Sequence, residues 1–175
     1  MLNLCVIPAR GGSKRIPHKN IKVFANKPII QWSIDNAIKS KCFDHICVST
    51  DDEQISEIAK SLNAEVPFIR PPDLADDFIG IVPVIRHAID WYTQKKIELG
   101  FVCCLLPTAP FVSVEDIQNC FKALLENEDF RFAFTATKYP YPIQRALFLN
   151  KENKIYMREP ENFNIRSQDL KEAYH

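Results

Sequence analysis

Two short apolar runs, residues 2–7 and 101–106, constrain the fold of this 175-residue chain more than any other feature. Each is too short for an ordinary helix and the right length for a strand. The second is almost purely apolar, which predicts a central strand covered on both faces. Helical stripes alternate with such runs. Ile30, Ile34, Ala37 and Ile38 form one stripe, ending near Lys41. Residues 45–49 read as a short strand. Thr50 and Glu53 have capping-box spacing ahead of a second stripe, Ile55, Ile58, Ala59 and Leu62. Residues 65–69 predict a third strand, and residues 70–77, with Pro71, Pro72 and three aspartates, a loop.

A third helix is expected from close to Pro83, with Ile85, Ala88, Ile89 and Tyr92 inward. Ser113 and Asp116 open a fourth, with Ile117, Phe121 and Leu124 on one face. Residues 132–137 read as a further strand. Residues 145–157 read as two strands joined by the polar turn 150–154. This alternation predicts an α/β fold, a mostly parallel sheet with helices on both faces. The length suits one domain, residues 1–175, with 139–165 as a hairpin insertion.

Charge and cysteine content narrow the function classes. Lysine plus arginine and aspartate plus glutamate number 22 each, a zero net charge that argues against a dedicated nucleic-acid binder. The six cysteines form no C-x-x-C pair, so zinc is not expected and buried reduced thiols are. His18, His45, His87 and His175 show no ligand spacing. Pro8, Arg10 and Lys14 interrupt the N-terminal apolar run before it could serve as a signal peptide, and no run could span a membrane. The expectation is a cytoplasmic protein with no membrane or nucleic-acid partner.

The chemistry concentrates in the loop after the first strand. Residues 8–20 place Gly11 and Gly12, two of the chain's four glycines, beside Arg10, Lys14, Arg15, Lys19 and the hydroxyl of Ser13. Adjacent glycines let backbone N–H groups approach an anion, and the cations neutralise several negative charges together. A triphosphate suits such a loop. It is not a P-loop, because no Gly-Lys-Ser/Thr ends it, and it lacks the third glycine of a dinucleotide fingerprint.

The loop resembles the signature of the cytidylyltransferases that make CMP-activated nonulosonic acids, the CMP-sialate and CMP-pseudaminate synthetases. Its Ser-Lys-Arg-Ile-Pro form is most similar to the pseudaminic acid branch. The motifs Asn26-Lys27-Pro28-Ile29-Ile30, Ser49-Thr50-Asp51, Arg70-Pro71 with Leu74-Ala75-Asp76-Asp77, Pro107-Thr108-Ala109-Pro110 and Arg166-Ser167-Gln168-Asp169-Leu170 follow in the family's order across the chain. The resemblance implies a Rossmann-like nucleotidyltransferase fold. It also implies a reaction in which the anomeric hydroxyl of an acidic nine-carbon sugar attacks the α-phosphorus of CTP and releases pyrophosphate.

By this resemblance, Ala9, Arg10, Gly11, Gly12, Ser13, Lys14, Lys19, Asn20, Arg70 and Thr108 bind the nucleotide, with Arg10 and Lys14 acting on the phosphates in catalysis. Arg166 and Gln168 meet the sugar, where a guanidinium can grip the carboxylate with two parallel hydrogen bonds. Magnesium and a homodimeric assembly of the full-length protein are implied. Three alternatives stay open: sialic acid as substrate, legionaminic acid as substrate, or an inactive CTP-binding fragment. Local readings compete too. Thr50 and Asp51 serve as helix caps by default, the Thr108 hydroxyl suits a turn as well as a pocket, and Asp76 and Asp77 read as turn formers or solvated acids.

Three departures stand out. Leu106 occupies a position where sialic acid synthetases carry glutamine, which favours a related acid over sialic acid. Residues 78–82 offer no hydroxyl where family members commonly have one. The chain stops at Tyr174-His175, within the late motif, so the family's acidic metal ligands are expected beyond residue 175. The 175 residues are therefore expected to be a C-terminally truncated form that binds CTP weakly.

Overall fold

The computed structural model describes residues 1–175, whose contacts divide into two compact units, Met1–Arg131 and Phe132–His175. In the first unit the chain runs β1 (Leu2–Pro8), β2 (Val23–Phe24), β3 (Lys27–Pro28), α1 (Ile29–Ser40), β4 (His45–Ser49), α2 (Glu53–Ser61), α3 (Ile81–Gln94), β5 (Leu99–Cys104) and α4 (Val114–Glu126). The main sheet has the order β4-β1-β5 and is parallel throughout. β2 and β3 form a small antiparallel hairpin.

β1 is the central strand, and its side chains go to both faces in turn. Cys5 and Ile7 join Ile30, Ile34 and Ala37 of α1, Ile55 and Ala59 of α2, and Ile117 of α4. Leu4 and Val6 join Ala88 and Tyr92 of α3. The period of two along a strand thus feeds two cores. Leu4, Val6 and Ile7 are fully buried, each worth roughly 1.5–3 kcal/mol. The α/β sandwich expected from the alternation is the observed one.

Several expectations need correction. β5 is an edge strand rather than a central one, and Cys104 on it is exposed. All six cysteines are free thiols, of which Cys5 and Cys47 are buried. Residues 65–69 do not make a full strand. Glu65 and Ile69 each form a single parallel bridge, to Cys47 and Thr50. Pro67 between them has no N–H to donate, so the ladder is broken. α3 begins at Ile81 after Gly80, which places Pro83 in the first turn, where a missing N–H costs nothing.

Capping also differs by two residues from the expectation at α2. Asp52, not Thr50, is the N-cap, its Oδ1 accepting from the N–H of Ile55 at 2.9 Å. Thr50 instead continues the parallel pairing, its carbonyl accepting from the N–H of Arg70 at 2.7 Å. At α4 the expected capping box of Ser113 and Asp116 is present.

The second unit contains the expected hairpin, β6 (Leu147–Leu149) against β7 (Ile155–Met157), with Asn150 N–H donating to Lys154 across its turn. Residues 132–137 do not form a strand. They alternate Phe132 and Phe134 with small or polar residues, but only Thr137 finds backbone partners, a reciprocal pair with His175. Strand propensity without a ladder leaves irregular backbone. No helix in the chain is long and apolar enough to cross a membrane.

Candidate active site

Parallel strands bring their carboxyl ends to one edge. There the segments following β1 and β5 and residues 70–84, which follow the bridge of Ile69 to Thr50, converge on a cavity of about 810 Å³. Its wall includes Arg10, Ser13, Lys14, Lys19, Asn20, Arg70 and Thr108, seven of the residues singled out in the sequence. Arg15, Asp76 and Asp77 contribute further charge. Leu74, Ile79, Ile81, Val84 and Leu106 form an apolar side.

The loop after β1 is shaped by its neighbours. Ala9 is buried and donates its N–H to Ser49 at 2.9 Å, prolonging the β1–β4 pairing. Gly11 donates its N–H to Asp51 Oδ1 at 2.9 Å. A side chain at position 11 would meet Asp52, with a Cβ only 2.5 Å from Oδ2 and 2.8 Å from the Asp52 Cβ. This glycine permits close approach to the start of α2. Gly12 differs: a Cβ there would meet nothing within 4 Å, and neither glycine has a positive φ. Asp51, expected as a cap, is the loop's anchor.

Arg10 is held by three contacts. Its Nη1 donates to the carbonyls of Ala75 at 3.3 Å and Asp76 at 2.6 Å, and its Nη2 pairs with Asp77 Oδ1 at 2.7 Å. Lys14 pairs with the other oxygen of the same carboxylate. The hydrogen bonds from Lys14 and Arg10 hold the Asp77 carboxyl below its usual range. Asp76 is the turn former, its Oδ1 accepting from the N–H groups of Phe78 and Ile79 at 2.8 and 2.7 Å. Asp77 is therefore neither a turn former nor simply solvated. A sequence clue to it existed: a loop crowded with cations calls for a counter-charge, and residues 70–77 were the acidic loop due at the same sheet edge.

Asn20 and Arg70 are the two buried polar residues of the wall. Asn20 Nδ2 donates to the carbonyl of Arg10 at 2.8 Å, which fixes the amide and leaves the buried Oδ1 without a partner. Arg70 donates through Nε to Ser49 Oγ at 3.1 Å and through Nη2 to the Ser49 carbonyl. Burial lowers its pKa, opposed by the nearby Asp51 carboxylate. Thr108 lies in a turn closed by backbone, Ala109 N–H donating to the Leu106 carbonyl at 3.3 Å, so its hydroxyl is not needed there.

Arg166 and Gln168 belong to the second unit. Arg166 Nε pairs with Asp169 Oδ2 at 2.7 Å on an exposed side chain. Gln168 lines a separate cavity of about 350 Å³ with Lys138, Tyr139 and Lys171.

Taken as chemistry, the first-unit cavity offers cations for a polyanion, an unpaired acceptor for an N–H or O–H donor, and an apolar side. Comparison with known proteins agrees. The sequence pattern of a family described as Cytidylyltransferase matches residues 4–174. The pseudaminic acid cytidylyltransferase of Campylobacter jejuni is 44% identical over all of this chain and 75% of its own length. The CMP-N,N'-diacetyllegionaminic acid synthase of Legionella pneumophila is 40% identical over 66% of this chain and 50% of that protein. In fold, the chain is similar to a CMP:2-keto-3-deoxy-manno-octonic acid synthetase solved with CTP. Their TM-score is 0.70 at 19% identity, covering 100% of this chain and 71% of that one. The cations at the end of β1 thus sit in a nucleotidyltransferase, and the chain belongs to the cytidylyltransferase family.

Proposed function

We propose that the protein transfers a cytidylyl group from CTP to the anomeric hydroxyl of a nonulosonic acid, pseudaminic acid first among them, with release of pyrophosphate. The observation that carries this reading is the cluster of Arg10, Lys14 and Lys19 on a cavity whose buried acceptor, Asn20 Oδ1, has no partner. The exocyclic amine of cytosine, or a ribose hydroxyl, supplies the missing donor. Similarity to pseudaminic acid cytidylyltransferases over all of this chain and 75% of theirs supports the choice of sugar.

In this reading the sugar hydroxyl forms a bond to the α-phosphorus while the bond to the bridging oxygen of pyrophosphate breaks. Positioning and charge neutralisation dominate such a step. Arg10 and Lys14 neutralise charge growing on the leaving phosphates. Arg70 and Asn20 hold the nucleoside side, and the Ala9–Ser13 backbone with Thr108 shapes the pocket around it. Arg166 and Gln168 are assigned to the sugar carboxylate and its hydroxyls on their motif alone.

Magnesium enters as the counter-ion of the triphosphate. The carboxylates near the loop do not fit as its ligands. Asp51 accepts from Gly11, Asp52 caps α2, and Asp77 is paired to two cations. No three His, Cys, Asp or Glu side chains converge into a donor set. No residue here is assigned to the ion.

A homodimer through the second unit is part of the proposal. Its hairpin exposes Leu147, Phe148, Leu149, Ile155 and Tyr156, and an isolated two-stranded hairpin is marginal without something packed on it. Sedimentation at micromolar concentration should show a dimer; a monomer there removes this part.

The reaction is tested by pyrophosphate release from CTP and magnesium with pseudaminic, diacetyllegionaminic and N-acetylneuraminic acids in parallel. Release fastest with pseudaminic acid is the expected result. Preference for another acid overturns the choice of sugar, and no release with any of them overturns the enzymatic reading.

A further inference from the structure

We infer that Asp77 is a positioning residue that exchanges places with the ligand's phosphates, holding Arg10 and Lys14 in the unliganded protein and taking them back as pyrophosphate leaves. This rests on the assignment of the cavity to a triphosphate.

The geometry separates two kinds of attachment. Arg10 Nη1 grips the carbonyls of Ala75 and Asp76, bonds that involve no acidic side chain. Arg10 Nη2 and Lys14 Nζ share the two oxygens of Asp77. The first attachment fixes the 75–77 segment against the loop after β1. The second can be surrendered without losing it. Asp76 adds to this independence, because its own carboxylate is occupied in folding the tip at Phe78 and Ile79.

Lys14 is the exposed arm. Its side chain is 83% exposed, and Asp77 is its ion-pair partner. The Asp77 carboxyl stays ionised at neutral pH, since its pKa lies below the usual carboxylate range. One carboxylate with two cations is a minimal imitation of a phosphate oxygen pair. A polyphosphate presents more oxygens to the same two cations and displaces it. Because the pair is solvent-exposed, opening it costs little, and the exchange stays reversible. Pyrophosphate, the leaving group, then faces an internal competitor for the cations that held it.

The test compares the wild type with Asp77→Asn and Asp77→Glu, using inorganic tripolyphosphate at fixed ionic strength and calorimetric titration. Asp77→Asn should bind tripolyphosphate about five- to tenfold more tightly, the scale of two exposed ion pairs. Pyrophosphate should become a stronger product inhibitor by a similar factor, with KM for CTP and kcat falling together. Asp77→Glu keeps the carboxylate and should behave like the wild type. A purely structural aspartate would give the reverse: unchanged or weaker binding in Asp77→Asn, which overturns the exchange. If the folded wild type binds no tripolyphosphate, the cavity's assignment fails and the exchange with it.

Discussion

Replacing Arg10 with alanine should lower kcat/KM for pyrophosphate release by about 10²- to 10³-fold, the loss found when one preorganised donor to developing charge is removed. Arg10 stands at the carboxyl end of β1 with three contacts fixing its guanidinium, so its position is set before any ligand arrives. That preorganisation is what alanine removes. Stability should change far less. The Arg10 and Asp77 side chains are 31% and 27% exposed, so solvent screens their pair and it adds little to stability. Arg10→Lys restores charge without the planar fork and should recover only part of the rate. Steady-state kinetics beside thermal unfolding separates the two effects. Normal turnover by Arg10→Ala would remove the loop's role in the reaction.

Much of the first unit is legible in the sequence because its signals are local. The stripes of α1, α2 and α4 and the apolar run of β1 depend only on spacing, and each forms where the spacing puts it. The order of strands is not local. Residues 101–106 are apolar enough for a central strand, yet centrality depends on which neighbours arrive at both edges, and β5 has one. Residues 65–69 show the reverse case, where one proline outweighs the propensity of Val66, Phe68 and Ile69.

The cations of the site are legible for the same reason as the helices: they cluster within one loop. Their partners come from elsewhere in the chain. Asp51 reaches Gly11 across 40 residues, and Arg10 reaches the Asp76 carbonyl across 66. Asp51, Asp52 and Thr50 are all competent caps by residue type. Only the parallel pairing of Thr50 with Ile69 decides among them, by pulling Thr50 into extended backbone and passing the cap to Asp52.

Arg70 presents the opposite balance to Arg10, and its removal should damage fold and binding together. Arg70 is 4% exposed, and it satisfies both the hydroxyl and the carbonyl of Ser49. Arg70→Ala removes the guanidinium donor to the Ser49 hydroxyl and one of the two donors to the Ser49 carbonyl, which keeps the Ala9 N–H, and opens a void beside Ser49. A loss of about 2 kcal/mol in unfolding free energy is expected, from the lost buried hydrogen bonds and lost packing. Arg70→Met fills most of the volume, so it should recover about 1 kcal/mol of that by the packing argument. It cannot recover a guanidinium on the cavity wall. Calorimetric titration with CTP should therefore find both variants weakened more than tenfold, the scale of one lost charge-assisted hydrogen bond. Denaturant unfolding tells the two apart. If Arg70→Met bound CTP as tightly as the wild type, Arg70 would serve only to tie Ser49 to the end of the sheet, and the nucleotide would have to be held by Asn20 and the loop after β1.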